Sequence, residues 1–200
     1  MRSVLHYSWL TLVALLICGC DYDPRSAVCQ VVVDLPGSDD SQGSGTLVAV
    51  NGKRGLVLTC RHVAEQVGNT VMLTWPNGQS TIGVVYKIVP GNDYRTDQAL
   101  VVCERPNGVK PLPVGKFDPT AGPIVSVGWR SGEFYEAVAF DARESDGLIE
   151  SNQPFIGGMS GGPTLQNGVV VGVAVGSNRK DYSVSSNGDA LVQLIQSVSK

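Results

Sequence analysis

The stretch Gly157-Gly158-Met159-Ser160-Gly161-Gly162-Pro163 is the part of the chain best suited to chemistry. A serine set among glycines can project its hydroxyl while neighbouring backbone N–H groups converge on one point. Glycine has no Cβ, so such a loop takes unusual φ values and lets a substrate come close. Acyl transfer needs both things, a nucleophile and N–H donors for the oxyanion. A plain glycine-rich turn would carry the same letters, so the reading depends on partners elsewhere.

Two partners stand upstream. Leu56-Val57-Leu58-Thr59-Cys60-Arg61-His62-Val63 is an apolar strand that ends in a histidine, so a rigid element would hold the imidazole. Only two histidines occur in the 200 residues, and the other, His6, lies in an N-terminal leader. The second partner is Asp97, at the head of the apolar run Gln98–Val102. Asp93 is a rival acid four residues earlier, but it sits within Gly91-Asn92-Asp93, where aspartate usually caps a turn.

The elements that must position these groups read as short strands. Gln30–Leu35, Gly45–Val50, Gly55–Thr59, Val71–Trp75, Thr81–Val89 and Gln98–Cys103 are separated by Pro36-Gly37, Asn51-Gly52, Pro76-Asn77-Gly78 and Pro90-Gly91-Asn92. A proline-rich passage from Pro106 to Pro119 follows. A second set comes after it: Pro123–Val127, Glu133–Ala139, Gly147–Glu150, Gly162–Leu165 and Val169–Gly176. Leu191, Leu194, Ile195 and Val198 then recur at helical spacing, behind a polar Asn187-Gly188-Asp189 cap. Gly 24 and Pro 11 together exceed the average share of roughly 12% and suit many short strands with tight turns. The spacing predicts an all-β sandwich or barrel, and two sets across a linker suggest two barrels.

Charge excludes some functions. With a net charge of −3 and 16% charged residues, no basic surface points to nucleic acid. Trp9–Ile17 is an apolar run whose helix would rise about 14 Å, too short for a bilayer core of about 30 Å. After Arg2 it has the form of a secretory signal. Ile17-Cys18-Gly19-Cys20 resembles a bacterial lipoprotein box, which makes Cys20 the expected lipid site. Residues 1–19 are therefore expected to be a signal peptide and 20–27 a tether. Cys29, Cys60 and Cys103 remain, and they are expected to be free buried thiols more than a disulfide framework. No cysteine–histidine spacing resembles a metal site.

His62, Asp97 and Ser160, in that chain order, resemble the trypsin-like peptidases of the chymotrypsin fold. Gly43-Ser44-Gly45-Thr46, Pro111-Leu112-Pro113-Val114-Gly115 and Ile124-Val125-Ser126-Val127-Gly128 resemble the bacterial HtrA-like branch, with no PDZ domain expected. The resemblance covers about residues 28–196. It implies two six-stranded antiparallel β-barrels, 28–110 and 111–200, with a short C-terminal helix closing the second. It also implies a serine endopeptidase acting on polypeptides, with a His62–Asp97–Ser160 triad, an oxyanion hole from the N–H groups of Gly158 and Ser160, and no metal or organic cofactor. Its specificity pocket would have Pro154 as floor and Phe155, Ala174, Val175 and Gly176 as walls, favouring small or medium apolar side chains. Met159 stands where zymogen-type relatives carry an aspartate, so direct folding to the active form is expected. With the lipid anchor, the enzyme would sit on the periplasmic side of a bacterial cell envelope.

Overall fold

The computed structural model describes residues 23–33, 41–178 and 182–196. The expected signal peptide and the lipid site at Cys20 lie outside these residues. A turn of 3-10 helix, Pro24–Ala27, leads into β1 (Val28–Val33), β2 (Ser41–Asn51), β3 (Arg54–Thr59), the single helical turn α1 (Arg61–Ala64), β4 (Thr70–Thr74), β5 (Ser80–Ile88) and β6 (Ala99–Glu104). These six strands close into an antiparallel barrel in the order β1-β2-β3-β6-β5-β4. The alternation of each strand sends Val31, Leu47, Val57, Leu73, Val85 and Val101 into the barrel, all of them buried. Trp75 fills one end, and its indole N–H donates to Thr81 Oγ1 at 3.1 Å. A buried indole thus keeps a polar partner.

The remaining strands are β7 (Ile124–Arg130), β8 (Glu133–Ala139), β9 (Arg143–Ser145), β10 (Leu148–Ser151), β11 (Pro163–Gln166), β12 (Val169–Ser177) and β13 (Ser183–Asn187). The helix α2 (Gly188–Gln196) follows and buries Leu191 and Leu194. Ser131-Gly132, Asp146-Gly147 and Asn167-Gly168 each place two consecutive residues at positive φ, as two-residue hairpins require.

The second sheet has seven strands in the order β8-β7-β11-β12-β13-β10-β9 and forms a half-barrel, where six strands in a closed ring were expected. No ladder joins β8 to β9 among the described residues. Two strands were not foreseen. β9 is three polar residues with no apolar alternation. All five residues of β13 (Ser-Val-Ser-Ser-Asn) are buried, although only Val184 is apolar. Hydroxyl pairs stabilise it there. Ser185 meets Thr164 at 2.6 Å, Thr164 meets Ser126 at 2.9 Å, and Ser183 meets Ser151 at 2.9 Å. A buried hydroxyl is tolerated once it is hydrogen-bonded, and a hydropathy pattern cannot register that.

The two sheets meet along β1, β2 and β7. Trp129 Nε1 donates to the Val28 carbonyl at 3.0 Å, and the Trp129 N–H donates to Ser44 Oγ at 2.8 Å.

Candidate active site

His62 does not end a strand, as expected, but sits in α1. β3 stops at Thr59, Cys60 turns the chain in extended geometry, and buried Val63 and Ala64 pin the helical turn to the barrel. Asp97 precedes β6 and is 5% exposed. Its two oxygens are both used on His62: Oδ1 accepts the backbone N–H at 2.9 Å, and Oδ2 lies 2.5 Å from Nδ1. Gripping one residue at two atoms fixes the ring's position and its tautomer, leaving Nε2 as the nitrogen able to take a proton. His62 remains 45% exposed at its side chain. It lines an open cleft of about 580 Å³ together with Asp97, Tyr94 and Val175.

Asp93 behaves as the turn cap its position suggests. Its Oδ1 accepts from the Thr96 N–H at 3.1 Å and its Oδ2 from Arg95 at 2.7 Å. Those bonds, Arg95 first, hold its carboxyl below the usual range. None of them reaches His62.

The Ser160 loop is pressed against β2 and the end of β3. The Ser44 N–H donates to the Ser160 carbonyl at 2.7 Å, and Ser44 Oγ donates to the Gly158 carbonyl at 2.7 Å. Gly158 has φ +98°, and a Cβ there would collide with the Trp129 carbonyl oxygen. Gly161 has φ +86°, and a Cβ there would strike the Ser44 carbonyl and Thr59 Oγ1. Both glycines are therefore demanded by packing as well as by backbone conformation. From 158 to 162, carbonyls take the N–H groups of Met159, Gly161 and Gly162, at 3.2, 2.8 and 2.9 Å. Among the described residues, no acceptor takes those of Gly158 and Ser160. Two unclaimed donors stand beside the Ser160 hydroxyl, an arrangement able to receive a developing oxyanion.

Ser160 opens onto a cavity of about 200 Å³ lined by Tyr94, Phe155, Ile156, Gly157, Gly176 and Ser177. Of the expected pocket residues, Phe155 and Gly176 line this cavity. Val175 lines the His62 cleft. Pro154 lies in an adjoining cavity of about 210 Å³ with Arg130 and Phe155. Ala174 is fully buried, packed with Phe155 and Met159. Tyr94 was not foreseen. It borders both the His62 cleft and the Ser160 cavity, and only its place in the turn before Asp97 could have suggested it.

Cys29, Cys60 and Cys103 are free and buried. Burial pushes the Cys60 thiol well up, helped by the charge on Asp97, and its Sγ donates to the Ala174 carbonyl at 3.1 Å. Cys60, His62 and Asp97 bring three possible ligand atoms within 4.8 Å of one another. Yet the nearest two are hydrogen-bonded to each other and the thiol is held protonated. The cluster is a hydrogen-bonded His–Asp pair over a buried thiol.

The family model of the trypsin-like peptidase domain matches residues 43–173, more than half of the chain. No curated protein is matched by the sequence. Among solved structures, the chain is similar to the inactive form of the Rv3671c protease, with a TM-score of 0.64 and 19% identity over 88% of this chain and 91% of that one. It is also similar to the active form of that protease from M. tuberculosis, with a TM-score of 0.66 and 19% identity over 86% of this chain and 81% of the other. At that identity the likeness speaks for the fold. Together with the family match, it establishes that the chain belongs to the trypsin-like peptidases and is a serine-type peptidase.

Proposed function

We propose that the chain is an endopeptidase working through Ser160, His62 and Asp97, anchored by lipid at Cys20 in a bacterial cell envelope. Ser160 Oγ attacks the scissile carbonyl as its proton passes to His62 Nε2. The imidazolium then returns that proton to the leaving amine, and water hydrolyses the resulting acyl ester by the same route. Asp97 keeps the imidazole in the required tautomer and stabilises its cation. The N–H groups of Gly158 and Ser160 stabilise the tetrahedral oxyanion, each by about 3 kcal/mol in the transition state. The single observation that carries this reading is the two-atom grip of Asp97 on His62, at 2.9 and 2.5 Å.

The cavity beside Ser160 is small, and among the described residues none that lines it is charged. A charged side chain entering it would lose hydration with no partner, so small or medium apolar residues before the cleaved bond are preferred.

The test of the triad is peptide turnover. Ser160→Ala and His62→Ala each lower kcat by several orders of magnitude while the thermal melt stays in place. Near parental turnover in Ser160→Ala refutes the assignment. For the anchor, an acyl mass increment on the mature chain that vanishes in Cys20→Ser supports it, and a mature chain that carries no acyl mass on Cys20 contradicts it.

A further inference from the structure

The outer face of the closed barrel is apolar where strand alternation should make it polar. In β5, Ile82, Val84 and Tyr86 point outward and are 71%, 47% and 55% exposed. The ladders extend this face on both sides. Ile82 pairs with Met72, itself 49% exposed, and Met72 pairs with Val32. One row along, Val84 pairs with Val102, and Val102 pairs with Leu56. The result is one continuous aliphatic surface across β1, β4, β5, β6 and β3. It runs into a groove of about 390 Å³ between Tyr86, Leu56, Val102 and Val50. The groove shares no residue with the His62 cleft or the Ser160 cavity, so neither site accounts for it. Contiguous apolar surface of this kind marks a place where something docks.

The rim indicates what docks. Exposed Lys53 and Arg54 form the tip of the β2–β3 hairpin beside the groove, and Arg105 is tied to them by its N–H on the Lys53 carbonyl at 2.8 Å. Glu104, paired with Arg54, offsets one of the three cations. An aliphatic face with a tyrosine and a cationic border has the chemistry of a surface that lies in a membrane interface, its cations on anionic headgroups. No helix among the described residues is long and apolar enough to cross a membrane. The segment leading into β1, whose Val32 borders this face, also carries Cys20.

We propose that this face of the first barrel docks on an anionic lipid surface, with Met72, Ile82, Val84 and Tyr86 entering the interface and Lys53, Arg54 and Arg105 meeting the headgroups. The contact needs neither Cys20 nor catalysis. It is tested with the chain beginning at Asp21, in a Ser160→Ala background, so its failure and that of the peptidase reading are separate results. The protein is sedimented with phosphatidylcholine vesicles, with and without phosphatidylglycerol. It is expected to pellet with the anionic vesicles and to remain largely in solution with neutral ones. Lys53→Glu and Arg54→Glu should each weaken anionic binding at least about five-fold, and Ile82→Ser about ten-fold. Tyr86→Trp, a mild change that leaves the face apolar, should shift its emission to the blue on anionic vesicles, which covers the case of a serine variant that fails to fold. No pelleting and no blue shift overturns the proposal, as does binding that these substitutions leave unchanged. Self-association abolished by Ile82→Ser, without vesicle binding, assigns the face to a second copy and also overturns it.

Discussion

Tyr94 lies across Gly176: a Cβ on that glycine would stand 3.0–3.3 Å from the edge and hydroxyl of the tyrosine ring. Gly176 and Tyr94 both line the Ser160 cavity, so in the proposed substrate pocket the ring is expected to limit the side chain that enters. Tyr94 is half exposed and packs on no core cluster, which makes its removal inexpensive for the fold. Tyr94→Ala is therefore expected to raise kcat/KM for phenylalanine relative to alanine before the scissile bond by about ten-fold. Competition between the two peptides checks this. An unchanged ratio shows that the ring does not set the pocket's size.

The two candidate acids make different predictions. Asp97 spends both oxygens on His62, whereas Asp93 spends both on its own turn. Asp97→Asn is expected to lower kcat by about 10⁴, because the amide favours the wrong tautomer. Asp93→Asn leaves kcat close to parental and costs only turn stability. Peptide hydrolysis by both variants decides, and the reverse order would reassign the acid.

The buried thiols give a pH-dependent signature. Burial raises Cys103 from the ordinary value of 9.0 to about 11, and pushes Cys29 and Cys60 higher than the ordinary value as well. Thiolate is the reactive form, so at pH 8 a disulfide reagent should titrate none of the three in the native chain and all three in denaturant. The same shifts fix the sign of the stability change. The unfolded chain loses its thiol protons first as pH rises. The thiols' contribution is thus complete below about pH 9 and declines towards about pH 11. Replacing all three cysteines with alanine should flatten that part of the melting curve against pH. Rapid native labelling at pH 8 would show that the thiols are accessible.

Much of this site was legible in the sequence because its chemistry is local. Gly158 and Gly161 flank Ser160 in the chain itself, and packing explains why both positions are glycine. Asp97 stood out against Asp93 because a turn has its own use for an aspartate. What escaped was tertiary in origin. His62 lies on a helical turn too short to leave a periodic signature. β13 is buried through hydroxyl pairs that only the folded sheet creates. The open edge of the second sheet, and the place of Tyr94 against a glycine some eighty residues away, depend on contacts across the chain and not on spacing within it. The family resemblance implies Pro154 as pocket floor and Ala174 as pocket wall, but Pro154 lines a neighbouring cavity and Ala174 is buried in the core.

The central claim is that Ser160 is a nucleophile activated by His62 with two N–H donors beside it. Its most direct test is a fluorophosphonate, which phosphonylates only an activated serine, followed by mass mapping of the digested protein. A single adduct on the peptide containing Ser160 is expected, lost in Ser160→Ala and slowed strongly in His62→Ala. A folded protein that stays unlabelled, or carries its adduct on another serine, contradicts the account.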